Sequence, residues 1–100
     1  MAKSNYTTMV QDTEVGKRFH EVYLHCMETS VLEPKVFQLV FIAYLASSGS
    51  VSGVRKHTKD AKKFGASREE VQAVFQAGFT VAGTILADSY IAAMESYDEP

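Results

Sequence analysis

The sequence predicts an all-α fold, a single small domain of four to six helices that works as an oligomer. Three observations carry this expectation. Apolar residues recur at helical spacing along most of the chain, with no strand-like alternation of useful length and no internal repeat. Helix punctuation is explicit at Glu33-Pro34, at Gly65 and at Ser67-Arg68-Glu69-Glu70. Two segments, Leu39 to Ala46 and Val71 to Met94, are apolar around most of their circumference, which asks for more cover than a small monomer provides.

The elements follow in order. Residues 1–12 are polar and aperiodic and read as a loose arm ahead of a single domain over residues 13–100. Val15, Phe19, Val22, Tyr23 and Cys26 then mark an amphipathic helix from about Thr13 to Thr29. Pro34 suits the first turn of a second helix, where its missing N–H is harmless, and this helix runs to about Ser47. Its apolar centre is expected to be surrounded on all sides. Ser47 to Gly53 is a small-residue turn. A third helix runs to about Phe64, with Val51, Val54, His57, Ala61 and Phe64 on one face and Gly65 as its stop.

Ser67 and Glu70 form a capping box, in which hydroxyl and carboxylate satisfy free N–H groups at a new helix start. The helical pattern then persists to about Tyr97. Unbroken, that helix would be roughly 45 Å long at 1.5 Å per residue. A compact domain of this size has a radius of gyration of about 13 Å, so a break near Gly83 is expected. Gln72, Gln76, Thr80, Thr84 and Asp88 make one narrow polar stripe on an otherwise apolar segment.

Composition narrows the function. The 100 residues hold 10 Lys+Arg, 12 Asp+Glu and one cysteine, for a net charge of −2. The acidic balance argues against a nucleic-acid protein. The lone cysteine excludes an intrachain disulfide or a CxxC pair. With no apolar leader and no uninterrupted apolar run of spanning length, a reduced cytoplasmic setting away from membranes is expected. Cys26 falls on the apolar stripe and reads as a small core residue, while His20 and His25 read as surface residues that share no metal.

His57 differs, because it lies among apolar residues just after the Ser/Gly turn. It reads either as a satisfied core histidine or as a general acid/base whose pKa is tuned near neutrality. The basic residues Arg55, Lys56, Lys59, Lys62 and Lys63 read as a solvated face, or as a local attraction for an acidic small molecule.

Leu32-Glu33-Pro34-Lys35, the apolar helix Leu39 to Ala46, Gly49, His57 and Phe64-Gly65-Ala66-Ser67-Arg68-Glu69-Glu70-Val71 resemble the carboxymuconolactone decarboxylase family. That family includes the alkylhydroperoxidase D-like proteins, and the resemblance covers about Leu32 to Tyr97. It implies a helical subunit assembling into trimers or hexamers and needing no cofactor or metal. The peroxidase branch carries Cys-x-x-Cys-x-x-x-His with a glutamate upstream. Here the histidine matches His57, but Ser50 and Gly53 stand at the cysteine positions and Gln38 at the glutamate. Neither Ser50 nor Gly53 can cycle through thiolate and disulfide. The resemblance therefore implies the decarboxylase branch. His57 would be the acid/base on a small carboxylated lactone, Arg55 a carboxylate clamp, and Gln38 and Ser50 supporting groups. A member that kept the fold as a binding or scaffold protein and lost the chemistry is the other reading.

Overall fold

The computed structural model describes residues 5–100. Six α-helices and one 3-10 turn account for the described residues: α1 (Asn5–Asp12), α2 (Glu14–Thr29), α3 (Pro34–Ser47), α4 (Val51–Lys63), α5 (Arg68–Ala82), the turn Gly83–Leu86, and α6 (Ala87–Asp98). The all-α expectation is met, and no strand occurs among the described residues.

The expected arm is corrected over Asn5–Asp12. This stretch is helical and packs on α2, with Val10 buried. Gly16 lets the two helices close up, since a Cβ there would lie 2.8 Å from both the Met9 carbonyl oxygen and the Val10 Cα. Residues 1–4 of the expected arm lie outside the described residues.

The helix signals act locally as read. The Thr13 hydroxyl accepts from the Gly16 N–H and caps α2. Pro34 occupies the first turn of α3. Both halves of the capping box form, with the Glu70 N–H donating to Ser67 Oγ at 3.0 Å and the Ser67 N–H to Glu70 Oε1 at 2.9 Å. Ala66 and Val71 flank the box and are both buried, the pattern of a hydrophobic staple. Those bonds, and then Lys35 at 3.0 Å, hold the Glu70 carboxyl below its ordinary range. At Gly83 the backbone takes φ 62° and ψ −146°, a conformation open essentially to glycine alone, and the expected break falls there. The run Arg68–Asp98 has the length and composition of a membrane-crossing helix, but Gly83 divides it and α6 is buried against α4.

The core lies where α3, α4, α5 and α6 meet, around Ile42, Val54, Ala61, Val71, Phe75 and Ala93. The basic residues of α4 are not merely solvated. Arg55 pairs with Glu95 at 2.7 Å, Lys59 pairs with Glu99, and Lys62 donates to the Tyr97 carbonyl at 2.7 Å. Arg68 reaches Asp98 at 2.9 Å, and Tyr97 Oη donates to the Ala66 carbonyl at 2.7 Å. These contacts fasten the C-terminal helix to α4 and to the start of α5.

One burial expectation is corrected. Phe64 is half exposed, because the chain leaves the helix there and turns through Gly65. The cover that the apolar centre of α3 asks for is not all supplied within one chain, since Tyr44 is 72% exposed there. On α2 only Gly16 is fully buried, and Val15, Phe19 and Val22 stand largely in solvent.

Candidate functional site

A cavity of about 460 Å³ opens between the α1–α2 hairpin and α3–α4. That volume lies in the range of small-molecule sites. The helix periods decide what faces it. Phe37, Phe41 and Leu45 follow one another at four-residue steps along α3, Phe19, Val22, Tyr23 and Cys26 form one side of α2, and Gly53, His57 and Asp60 come from α4. The rings interlock: Tyr23 meets Phe41 edge-on with centroids 4.9 Å apart, Phe37 stacks on Phe41 at 6.0 Å, and His57 lies 4.4 Å from Phe41.

Beneath these rings runs a polar relay. His57 Nδ1 lies 2.8 Å from Gln38 Oε1. Gln38 is almost fully buried, and its Nε2 donates to Tyr23 Oη at 2.9 Å and approaches Met27 Sδ at 3.5 Å. Tyr23 Oη in turn donates to Met27 Sδ at 3.7 Å. Sulfur accepts and does not donate, so the relay has a direction. The amide N–H₂ of Gln38 faces Tyr23 and Met27, and its carbonyl faces His57. The proton of neutral His57 therefore sits on Nδ1, and Nε2 is the acceptor nitrogen of the ring. No described residue hydrogen-bonds that Nε2.

Electrostatics keep the ring neutral. Burial pushes the His57 pKa down to about 4; Asp60 opposes the shift, and Lys56 and His20 add to it. The expectation of a pKa near neutrality is thus corrected, because the cost of a buried charge outweighs the nearby carboxylate. Asp60 Oδ2 stands 3.7 Å from His57 Nδ1, but the carboxylate is engaged elsewhere, its Oδ2 and Oδ1 accepting from Lys56 Nζ at 2.7 and 2.9 Å. Burial also raises the Tyr23 phenol above its ordinary value, with the Gln38 bond opposing and the Asp60 charge adding to the rise, so its hydroxyl stays protonated.

The structure brings three of the four expected site residues together and leaves one out. His57 and Gln38 are bonded directly. Ser50 borders the cavity at the start of α4, and its hydroxyl makes no capping bond. Arg55 does not border the cavity. It lies two residues from His57, about 200° around the helix, and faces α6, where Glu95 holds its guanidinium and Ser96 bonds its carbonyl. Among the described residues the cation that borders the cavity is Lys56.

Cys26 is corrected from core to exposed, at the cavity edge. His20 also borders the cavity, stacked on Tyr23 at 5.9 Å and 3.4 Å from the Tyr6 hydroxyl. Tyr23 and Asp60 are not among the expected site residues, and Lys56 is expected only as part of a basic face. Spacing offered a signal for the last two, since His57 and Asp60 are three apart and Lys56 and Asp60 four apart on one helix. Tyr23 reaches Gln38 only through tertiary packing. Among the described residues no cluster of three His, Cys, Asp or Glu could hold a metal ion.

The fold and site define a class of small all-helical domain with an apolar cavity lined in part by a largely buried, neutral imidazole. The chain belongs to the carboxymuconolactone decarboxylase family, whose family model matches residues 13–96. The match begins well before Leu32 and so includes α2, which supplies one wall of the cavity. No curated protein and no solved structure matches the chain.

Proposed function

We propose that this chain is a lyase or isomerase of its family, working without a cofactor, that moves a proton on a small lactone or related ring compound with His57 as the base. The observation that carries this reading is a neutral imidazole lining a ligand-sized cavity, whose Nε2 bonds to no described residue. With its pKa held at about 4, His57 begins the cycle as a base and not as an acid. It takes a proton at Nε2, the imidazolium is stabilised by Gln38 Oε1 and by Asp60, and the proton is returned at another carbon. Decarboxylation fits the same cycle if the proton collected by His57 is the one delivered to the carbon that loses CO₂. Tyr23 holds Gln38 and so keeps the imidazole in the productive tautomer.

The substrate carboxylate expected from the sequence lacks its clamp, because Arg55 is committed to Glu95. Lys56 could replace it only by leaving Asp60. The test follows carboxymuconolactone by CO₂ release and absorbance, and follows solvent deuterium uptake into the ring. His57→Ala is expected to lose about 10²–10⁴-fold in rate, and equal rates in the two proteins would remove His57 from the reaction.

One observation favours the second reading, a binding protein without turnover: Gln38 cannot serve as the carboxylate that the peroxidase branch carries there. That reading predicts ligand binding with no product and no deuterium exchange. Thiol-dependent peroxidase activity is the weakest reading, since Ser50 and Gly53 supply no thiol, and it would need Ser50→Cys with Gly53→Cys. We also propose a homo-oligomer, trimer or hexamer, supported by the apolar side chains of α2 and of the α5–α6 corner left uncovered in one chain, such as Val81 at 89% and Ile85 at 69% exposure. Sedimentation would measure it.

A further inference from the structure

The polarity of the cavity narrows what can occupy it. Its walls are mainly aromatic and aliphatic, and the rings of Phe37, Phe41 and Tyr23 offer both faces and edges to a planar guest. Among the described lining residues the only formal charges, Lys56 and Asp60, already neutralise one another through two short bonds. A carboxylate entering this space would give up water without gaining a free cation. It would also confront His57 Nε2 with oxygens that can only accept, because an ionised carboxylate has no proton to donate.

The imidazole therefore selects a donor. Its Nδ1–H is spent on Gln38, and its Nε2 requires an O–H or N–H from the ligand. Ser50, whose hydroxyl makes no bond to any described residue, can either donate or accept and adds a second polar point at the same wall.

We propose that the cavity binds a neutral ring compound bearing a hydroxyl, a phenol or an enol, with the ring against Phe41 and the O–H donated to His57 Nε2. This deepens the reading given under Proposed function, since an enol is the form a ring ketone or lactone takes when a base moves its proton. It departs from that reading in making the preferred ligand uncharged.

Three probes of similar size separate the contributions: 4-methylphenol carries ring and donor, toluene the ring alone, and benzoate the ring with a charge. Calorimetry at pH 7 is expected to rank 4-methylphenol first. Toluene should bind about fivefold more weakly, the worth of one hydrogen bond, and benzoate at least about tenfold more weakly. The ¹⁵N resonance of His57 Nε2 in the unaltered protein should shift with 4-methylphenol and stay in place with toluene. His57→Ala should remove the advantage of 4-methylphenol over toluene. Because the ¹⁵N measurement needs no variant, a misfolded His57→Ala protein does not blunt the test.

The proposal is overturned if benzoate binds as tightly as 4-methylphenol, if toluene equals it, if the ¹⁵N resonance does not move, or if none of the three binds. Its failure is distinct from failure of the catalytic reading. Binding of 4-methylphenol with no turnover of any lactone overturns only the catalysis. Turnover of a carboxylated lactone with no binding of 4-methylphenol overturns only the neutral ligand.

Discussion

The two halves of this molecule are held together by different means. The α3–α6 body encloses Ile42, Val54, Ala61, Val71 and Ala93 without measurable exposure, and salt bridges from α4 and α5 lock its C-terminal helix in place. The α1–α2 hairpin buries little of its own. It meets the body mainly through the rings of Tyr23, Phe37, Phe41 and His57 and through the bond between Tyr23 and Gln38. The difference teaches where stability and chemistry reside. The body supplies a rigid wall, and the looser seam leaves room for a ligand beside a buried base.

The sharpest way to break this comparison is to truncate one residue from each half. Ile42→Ala should cost about 2–5 kcal/mol in urea unfolding, because it leaves a cavity in a closed core. Phe19→Ala, at a position 61% exposed, should cost well under half of that in dilute protein. Equal costs would mean that a second copy covers α2, and the cost of Phe19→Ala would then grow with protein concentration.

Acid should act through the seam. Folded His57 titrates at about 4 against 6.5 for the free side chain, so between those values the unfolded chain binds the extra proton. Stability is therefore complete above about pH 6.5 and falls as the pH drops toward 4, by about 3 kcal/mol in all. Glu70, Asp98 and Glu99, whose carboxyls are held below their ordinary range, contribute only at lower pH. The slope between pH 6.5 and 5 thus reports His57 and should flatten in His57→Gln.

The relay gives a smaller and more local effect. Gln38→Leu leaves His57 Nδ1–H without its acceptor and removes the bond that the Tyr23 hydroxyl accepts, and should cost about 1–3 kcal/mol. Gln38→Glu restores a carboxylate beside the imidazole and should raise the His57 pKa above 4 in an NMR titration. An unmoved pKa would show that burial alone sets it. The smallest effect belongs to the body. Thr58 is fully buried and its hydroxyl is unpartnered among the described residues, so Thr58→Val should be neutral or stabilising by up to about 1 kcal/mol. A clear loss of stability there would mean that the hydroxyl has a partner such as a bound water.

Much of the fold was legible because its signals are local. Thr13, Pro34, Gly65, the Ser67–Glu70 box and Gly83 each act through the backbone within a turn or so of their own position, and each falls where a helix starts, stops or breaks. The segment Asn5–Asp12 was illegible for the converse reason. It has no strong apolar period of its own, and its packing on α2 is what accompanies the helix.

The site was legible in part. Helical period predicted that His57 turns inward with Val54 and Ala61, and the family resemblance pointed to Gln38 and Ser50. Period alone could not say which neighbours the flanking side chains would find. Arg55 met Glu95 on α6, Lys56 met Asp60, and Cys26 faced an opening where a core had been expected.

The sequence by itself determined the helices from α2 onward, their ends and the inward face that carries His57, because these depend on dihedral preference, capping and period within a few residues. Only the tertiary structure decided that His57 is neutral, that its ring borders a cavity and that Tyr23 and Gln38 hold it so. Those properties depend on desolvation and on bonds between residues 15 and 19 positions apart, and packing sets both.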